Sequence, residues 1–177
     1  MTSLDVAVWD LMVSHRLPLL NTFFVPFSAW SAPRYVFPLL WAVLLLKRAR
    51  LSTHLPGLIA LVLSPILKAL IDRPRPPLAC QLVAHFDGAM PSGHALMAGV
   101  VLALSWRGPR LWRGLVLAWV FLVCVSRLYL GVHWLSDVVV GLFLGAGLGA
   151  VPWNRVWRTY PVPYLLNCTQ STKVNDR

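Results

Sequence analysis

Long apolar runs separated by short polar turns dominate the chain. A helix needs roughly 20 residues to cross a hydrocarbon core about 30 Å thick, and fewer where it is packed within protein. Six runs fit, a proline-interrupted one near 18–31 and stronger ones near 35–47, 52–71, 94–106, 111–128 and 134–151. The pattern predicts an all-α, polytopic membrane helical bundle with about six transmembrane helices. Whether residues 18–31 cross fully is left open.

The segment ahead of the first run has the pattern of an amphipathic helix. One helical stripe contains Leu4, Val8, Leu11 and Met12. Asp5 and His15 lie off this stripe, which is typical of an interfacial helix and equally of the first turns of a longer tilted span. No cleavable signal peptide is expected, because acidic residues precede any basic one.

Composition supports a membrane location, since 58% of the residues are hydrophobic and 12% are charged. The formal net charge of +10 does not indicate nucleic-acid binding, because the basic residues are dispersed. With six spans and a cytoplasmic N-terminus, eleven basic residues, Arg16 among them, fall on one side, and five fall on the other: Arg34, Lys68, Arg73, Arg75 and Arg127. The positive-inside rule then predicts a protein integral to the bacterial cytoplasmic membrane, with the smaller group facing the periplasm or the extracellular side.

We expect one membrane-embedded domain at residues 1–153 and a basic cytoplasmic tail at 154–177. The cysteines have no metal-ligand spacing, and no structural disulfide is expected. Gly141, Gly145 and Gly149 recur every four residues, which indicates close packing between helices. The partner of this glycine face, within the chain or in a second copy, and the oligomeric state stay open.

Three polar clusters interrupt the apolar pattern, each at the end of a predicted span: KALIDRPRP at 68–76, PSGH at 91–94 and SRLYLGVHWLSD at 126–137. A helical hairpin separates His94 from His133 and returns them to the same face. Lys68 and Arg75 reach that face from the preceding span. Ionisable groups that converge near a membrane core usually mark a site.

The charge of this set decides its ligand. Its members are Lys68, Arg73, Arg75, His94, Arg127, His133 and Asp137. Although His133 and Asp137 have a spacing that suits zinc, the nearby cations would repel a metal ion. A doubly charged phosphoryl group fits better, because guanidinium forks and an ammonium group match its oxygens.

The PSGH cluster adds an anion cradle. A helix that begins near His94 presents unpaired backbone N–H groups and the positive end of its dipole. Gly93 lets the backbone approach closely, and the Ser92 hydroxyl can donate to an oxyanion or cap the helix.

Two histidines beside a phosphate suggest a division of roles. Asp137 lies one turn after His133 and can bind one ring nitrogen, which leaves the other free as a nucleophile. His94 has no carboxylate partner in sequence, which leaves it as the general acid and then the general base.

At these residues the chain resembles the type 2 phosphatidic acid phosphatase superfamily, integral membrane lipid phosphatases related to vanadium haloperoxidases. That family's signature is Lys, six residues and Arg-Pro; then Pro-Ser-Gly-His; then Ser-Arg, five residues, His, three residues and Asp. Every element is present, as Lys68 with Arg75-Pro76, Pro91 to His94, and Ser126-Arg127 with His133 and Asp137.

The resemblance implies a phosphohistidine on His133, oriented by Asp137, with His94 as acid and then base. It also implies a phosphate site that needs no metal or cofactor and is formed by Lys68, Arg75, Ser92, the Gly93 amide and Arg127. Arg73 lies outside the motif and is interpreted as a snorkelling anchor. His85 and Asp87 are expected to be solvated.

We therefore expect a metal-independent hydrolase of a terminal lipid phosphate or diphosphate. Its partners would be the lipid substrate and membrane lipids, with no nucleic acid. Undecaprenyl diphosphate is favoured, and phosphatidylglycerol phosphate and phosphatidic acid are compatible. The alternatives are phosphotransfer to an acceptor other than water and a non-hydrolytic lipid or anion transporter.

Overall fold

The computed structural model of the chain describes residues 2–46, 53–106 and 108–152. These ranges contain seven α-helices and no strand, so the all-α prediction is confirmed for them. The helices are α1 (Ser3–Ser14), α2 (Pro18–Trp30), α3 (Pro33–Leu46), α4 (Leu55–Ile71), α5 (Gly93–Ser105), α6 (Arg110–Tyr129) and α7 (Leu135–Ala150). The predicted tail at 154–177 lies outside the described residues.

Local sequence explains where these helices begin and end. Thr2 and Asp5 form a capping box at the start of α1. Pro18 and Pro33 open α2 and α3, where a missing N–H leaves no hydrogen bond unmade. Helix α4 ends at Asp72, whose left-handed backbone (φ 42°) turns the chain into the segment that carries Arg73 and Arg75.

Helix α5 lies at the centre of the bundle and packs against α3, α4, α6 and α7. Its contact with α7 is the closest, because small residues face each other there. A methyl group at Gly145 would overlap the carbonyl oxygen of Leu96, and one at Gly141 would lie 2.6 Å from the carbonyl oxygen of Ser92. The partner of the predicted glycine face is therefore α5 of the same chain.

From α4 to α7, each helix runs antiparallel to the one before it in the chain. The C-terminal ends of α4 and α6 therefore meet the N-terminal ends of α5 and α7. These four ends carry the three polar clusters. The predicted return of the clusters to one face is confirmed, and we call this face the polar end of the bundle.

The path of α2 differs from the membrane crossing that was predicted for residues 18–31. The Tyr129 hydroxyl, at the polar end, binds the backbone of Leu17 and the side chain of Asn21 at the start of α2. At the other end of α2, the carbonyl oxygen of Ser28 contacts His94, again at the polar end. Both ends of α2 thus lie at the same end of the bundle.

Helix α3 then runs away from the polar end, bent 56° from α2, and Trp41 packs against His54 ahead of α4. Among the described helices, α6 alone is long and apolar enough to span a membrane by itself. Helices α2 and α3 meet that criterion only as a pair, and α4, α5 and α7 are apolar but shorter.

The start of the chain also lies at the polar end. Arg16 donates to the carbonyl oxygens of Tyr129 and Cys80, at 2.9 and 2.7 Å. The prediction that Arg16 lies on the opposite side from Arg127 is therefore wrong. The charge count misplaced it because a crossing was assigned to residues 18–31. Asp5, predicted to lie off the apolar stripe of α1, is buried with 1% exposure.

Candidate active site

A cavity of about 720 Å³ opens at the polar end between α2, α3, α4 and the loops that follow. Six of the eight predicted site residues line it: Lys68, Arg75, Gly93, His94, Arg127 and His133. Ser28, Arg34, Ser64, His85 and Asp87 complete its polar wall. Ser92 and Asp137 do not line it and lie behind its wall, both fully buried.

His133 stands in the turn between α6 and α7 and is 2% exposed. Its Nε2 lies 3.4 Å from Nη1 of Arg75. Because a guanidinium can only donate, Nε2 is the acceptor and the ring proton is on Nδ1. Burial, and then the charges of Arg75 and Arg127, hold the pKa of His133 well below its usual value. The ring is therefore neutral, with the lone pair of Nε2 on the side of the cavity cations.

Asp137 lies behind His133 in the first turn of α7. Its Oδ2 accepts the backbone N–H of Trp134 at 2.9 Å and lies 3.6 Å from Nδ1 of His133. That separation exceeds a hydrogen bond, and Nδ1 has no other partner in the described part of the chain. The backbone carbonyl of Asp137 also accepts the N–H of Ser92, which ties the PSGH turn to α7.

His94 opens α5 and contacts a residue that the motifs do not include. Its Nε2 lies 3.2 Å from the carbonyl oxygen of Ser28, so this nitrogen donates. Nη1 of Arg127 lies 3.3 Å from the His94 ring, and Nη2 donates to the Ser28 hydroxyl. Arg127 itself is fully buried. Ser28 had no chemical signal in the sequence, because it is an isolated serine within a largely apolar helix.

The turn before α5 is tightly packed. The Ser92 hydroxyl is buried, makes no capping hydrogen bond and has no partner among the described residues. Of the two expected roles, capping is therefore not observed. A methyl group at Gly93 would come within 2.8 Å of the Ser64 hydroxyl, so a larger residue here would require the Ser64 side chain to move.

Asp87 pairs with two of the cavity cations. Its carboxylate lies 2.6 Å from Nζ of Lys68 and 2.8 Å from Nη2 of Arg75. The expectation that Asp87 is merely solvated is therefore wrong, although its side chain is 54% exposed. Burial raises the pKa of this carboxyl, but Lys68 and Arg75 outweigh it and bring the pKa below its usual value.

Arg73 is not a snorkelling anchor, and that interpretation is wrong. Its Nη1 donates to Ser136 and Asp137, both at 2.7 Å, and its Nη2 donates to Asp5 at 2.8 Å. Only 15% of the side chain is exposed. Position near a helix end suggested an anchor, but the guanidinium is directed inward because two buried carboxylates lie there.

In the described part of the chain, no three His, Cys, Asp or Glu side chains come close enough together to hold a metal ion. The polar residues of the cavity instead include four cations, together with three imidazoles and one carboxylate. Such a set suits a highly charged anion whose oxygens can accept several hydrogen bonds at once.

Comparison with known proteins gives a consistent result. The model of the PAP2 superfamily matches residues 35–161. The undecaprenyl-diphosphatase of Sulfolobus acidocaldarius is 30% identical over 153 residues, which cover 80% of this chain and 73% of that protein. The family match begins after α2, so Asp5, Arg16 and Ser28 lie outside it.

Two solved structures share the fold. LpxE of Aquifex aeolicus superposes with a TM-score of 0.75 at 28% identity, covering 84% of this chain and 93% of that one. A PAP2 type phosphatidylglycerolphosphate phosphatase from Bacillus subtilis gives a TM-score of 0.69 at 25% identity, covering 90% and 87%.

Proposed function

Since the chain belongs to the PAP2 superfamily and is a hydrolase of lipid phosphates, we propose that it removes the terminal phosphate of a lipid diphosphate through a phosphohistidine on His133. Undecaprenyl diphosphate is the favoured substrate. The single observation that carries the mechanism is that one cavity is lined by both motif histidines and by three motif cations, Lys68, Arg75 and Arg127.

In the first step, Nε2 of His133 attacks the terminal phosphorus. A bond forms between nitrogen and phosphorus, and the bond from phosphorus to the bridging oxygen breaks. His94 gives its proton to that oxygen, which leaves as the lipid monophosphate. In the second step, His94 takes a proton from water, the oxygen attacks phosphorus, and His133 is released with inorganic phosphate.

The cavity cations stabilise the charge that develops on the transferred group. Lys68 and Arg75 exchange the carboxylate of Asp87 for phosphate oxygens, and Arg127 reaches the phosphate from beneath His94. Asp137 stabilises the Nδ1 proton of His133 as the ring gains charge. The amide of Gly93, which lines the cavity, donates to the phosphate at the start of α5. Electrostatic stabilisation of this kind is the largest part of phosphoryl-transfer catalysis.

We propose that the protein is integral to the bacterial cytoplasmic membrane and crosses it five times, through α3 to α7. Large apolar side chains are exposed around the bundle, among them Leu39, Leu46, Phe121 and Phe143. Exposure on this scale is typical of a surface covered by lipid. With α2 at the polar end, the N-terminus and the cavity share one side, which the bias of Lys and Arg assigns to the periplasm or the extracellular face.

A polyprenyl diphosphate has a charged headgroup and an apolar chain, and the cavity wall has polar and apolar residues to match them. The side of the wall formed by α2 and α4 has apolar residues beside its polar ones, and these are Val25, Ala29, Ala32 and Leu61 among others. The isoprenoid chain would stay in the bilayer beside this wall while the diphosphate reaches the cations. The undecaprenyl-diphosphatase from Sulfolobus acidocaldarius, with 73% of its length aligned, supports this substrate class.

Phosphate release from a panel of lipids tests the proposal. Purified protein in detergent with excess EDTA should release phosphate from undecaprenyl diphosphate faster than from phosphatidylglycerol phosphate or phosphatidic acid. His133→Ala should abolish turnover, and a brief incubation with terminally radiolabelled substrate should yield a base-stable, acid-labile phosphoprotein in the wild type alone. Release from no lipid would refute the hydrolase, and full activity of His133→Ala would refute the intermediate.

A further inference from the structure

A buried hydrogen-bonded network lies directly behind the catalytic carboxylate, outside the cavity. Arg73 donates to Asp137 at 2.7 Å and to Asp5 at 2.8 Å, so one guanidinium bridges two carboxylates. Ser136 donates to both oxygens of Asp5, through its backbone N–H and its hydroxyl, each at 2.9 Å. The network therefore joins the first turn of α1 to the first turn of α7.

Both carboxylates are almost fully enclosed. Asp5 is 1% exposed and Asp137 is 0% exposed. Burial raises the pKa of Asp5, but donors from Ser136 and Thr2, together with Arg73, outweigh it and hold the pKa well below its usual value. Asp5 is thus an anion, and a single cation satisfies it and its partner. Removing that cation leaves two buried carboxylates without a counter-charge.

We propose that Arg73, held in place by Asp5, is a positioning residue that sets the orientation of Asp137 towards His133. This inference rests on the proposed function. It makes α1, which precedes the matched family range, a working part of the active site rather than a peripheral anchor.

Geometry explains why the orientation of Asp137 needs such support. Oδ2 lies 3.6 Å from Nδ1 of His133, so a small rotation of the carboxylate decides whether a hydrogen bond forms as the ring gains charge. Trp134 holds Oδ2 and Arg73 holds Oδ1. Without Arg73, the carboxylate keeps one fixed oxygen and can turn away, which removes the acceptor that Nδ1 of His133 needs as the ring gains charge.

Kinetics of matched variants test the proposal. Arg73→Gln and Asp5→Asn remove charge from the network, while Arg110→Gln and Asp10→Asn make the same changes at exposed positions of α6 and α1. For Arg73→Gln we expect kcat to fall roughly 10- to 100-fold, the effect of losing a hydrogen bond to a charged group. KM should stay within threefold, and Arg73→Lys should recover part of the loss because it restores charge but not the fork.

Binding of orthovanadate separates positioning from misfolding. The cavity cations are intact in Arg73→Gln, so vanadate should bind one site per chain with near-normal affinity while kcat is low. Combining Arg73→Gln with Asp5→Asn should add little to the single loss, because both act through one network.

Three outcomes would overturn the inference: a kcat within threefold of the wild type in Arg73→Gln, a loss of kcat matched by an equal loss of vanadate sites, or additive effects in the double variant. An inactive wild type would instead refute the proposed function.

Discussion

His133 combines nearly complete burial with a chemical task that needs a free lone pair. Arg75 faces its Nε2 and Asp137 lies behind its Nδ1, so the two ring nitrogens have different roles before any substrate arrives. Burial, and then the charges of Arg75 and Arg127, lower the pKa of the ring and keep it neutral. In the proposed mechanism, the same cations thus prepare the nucleophile and attract the group that it attacks.

The low pKa of His133 makes stability depend on pH. Below about pH 6.5 an unfolded chain takes up a proton at this residue, whereas the folded chain does so only at a much lower pH. The free energy of unfolding should therefore fall with pH by up to about 1.4 kcal/mol per unit from this residue, starting near pH 6.5. Apparent melting temperatures in detergent from pH 8 to pH 5 should fall more steeply for the wild type than for His133→Gln. Equal slopes would contradict the neutral imidazole.

Asp87→Asn should strengthen anion binding. Lys68 and Arg75 lose a partly exposed carboxylate that competes with phosphate, and the site gains one net positive charge. We expect the inhibition constant for orthovanadate and the KM for lipid to fall roughly two- to fivefold, as suits exposed ion pairs, with little change in kcat. Asp72→Asn, an exposed change at the end of α4, is the control. Weaker vanadate inhibition in Asp87→Asn would show that Asp87 supports the cations.

The contact between α5 and α7 sets the distance between the parts of the site. Helix α5 carries His94, and α7 carries Asp137 in its first turn and directly follows the turn that contains His133. Because Gly145 lies directly against the Leu96 backbone, no side chain fits between the helices. The rigidity of this contact is what makes two helix ends act as one site.

Gly145→Ala should separate these two helices and lower both stability and turnover. We expect kcat to fall by roughly 100-fold, the cost of about 1 Å of misplacement, and overpacking to destabilise the protein by about 1–3 kcal/mol. Gly147→Ala lies on the same helix with nothing within 4 Å of the added methyl group, so it is the matched control. Melting temperature and kcat measured on both proteins check this. Wild-type kcat in Gly145→Ala would contradict the close contact.

The sequence predicted the helices well because hydropathy and proline positions act locally. It also predicted the convergence of Lys68, His94 and His133, since antiparallel neighbours return to the same end. It did not predict the path of α2, because an apolar run does not reveal in which direction the chain travels. It missed the ion pairs of Arg73 because the partner carboxylates, Asp5 and Asp137, are remote in the chain.

The bundle as a whole has its first residues on the side of the cavity. Single cysteines at position 10 in α1 and position 110 in α6, in a chain without native cysteines, test this placement. In intact cells a membrane-impermeant maleimide should label Asp10→Cys and leave Arg110→Cys unlabelled until the cells are lysed. Equal labelling of both positions would contradict the five-crossing topology, and the reverse pattern would contradict its orientation.

The pairing of Asp5 with Ser136 has a consequence for how the protein is made. Their hydrogen bonds join positions 131 residues apart, so the first turn of α1 cannot complete this pairing until the first turn of α7 has left the ribosome. At every earlier stage of synthesis, Arg73 lacks Asp137, one of its two carboxylate partners. Phosphatase activity should therefore appear only in chains completed through α7, and partial products in the bilayer should be inert.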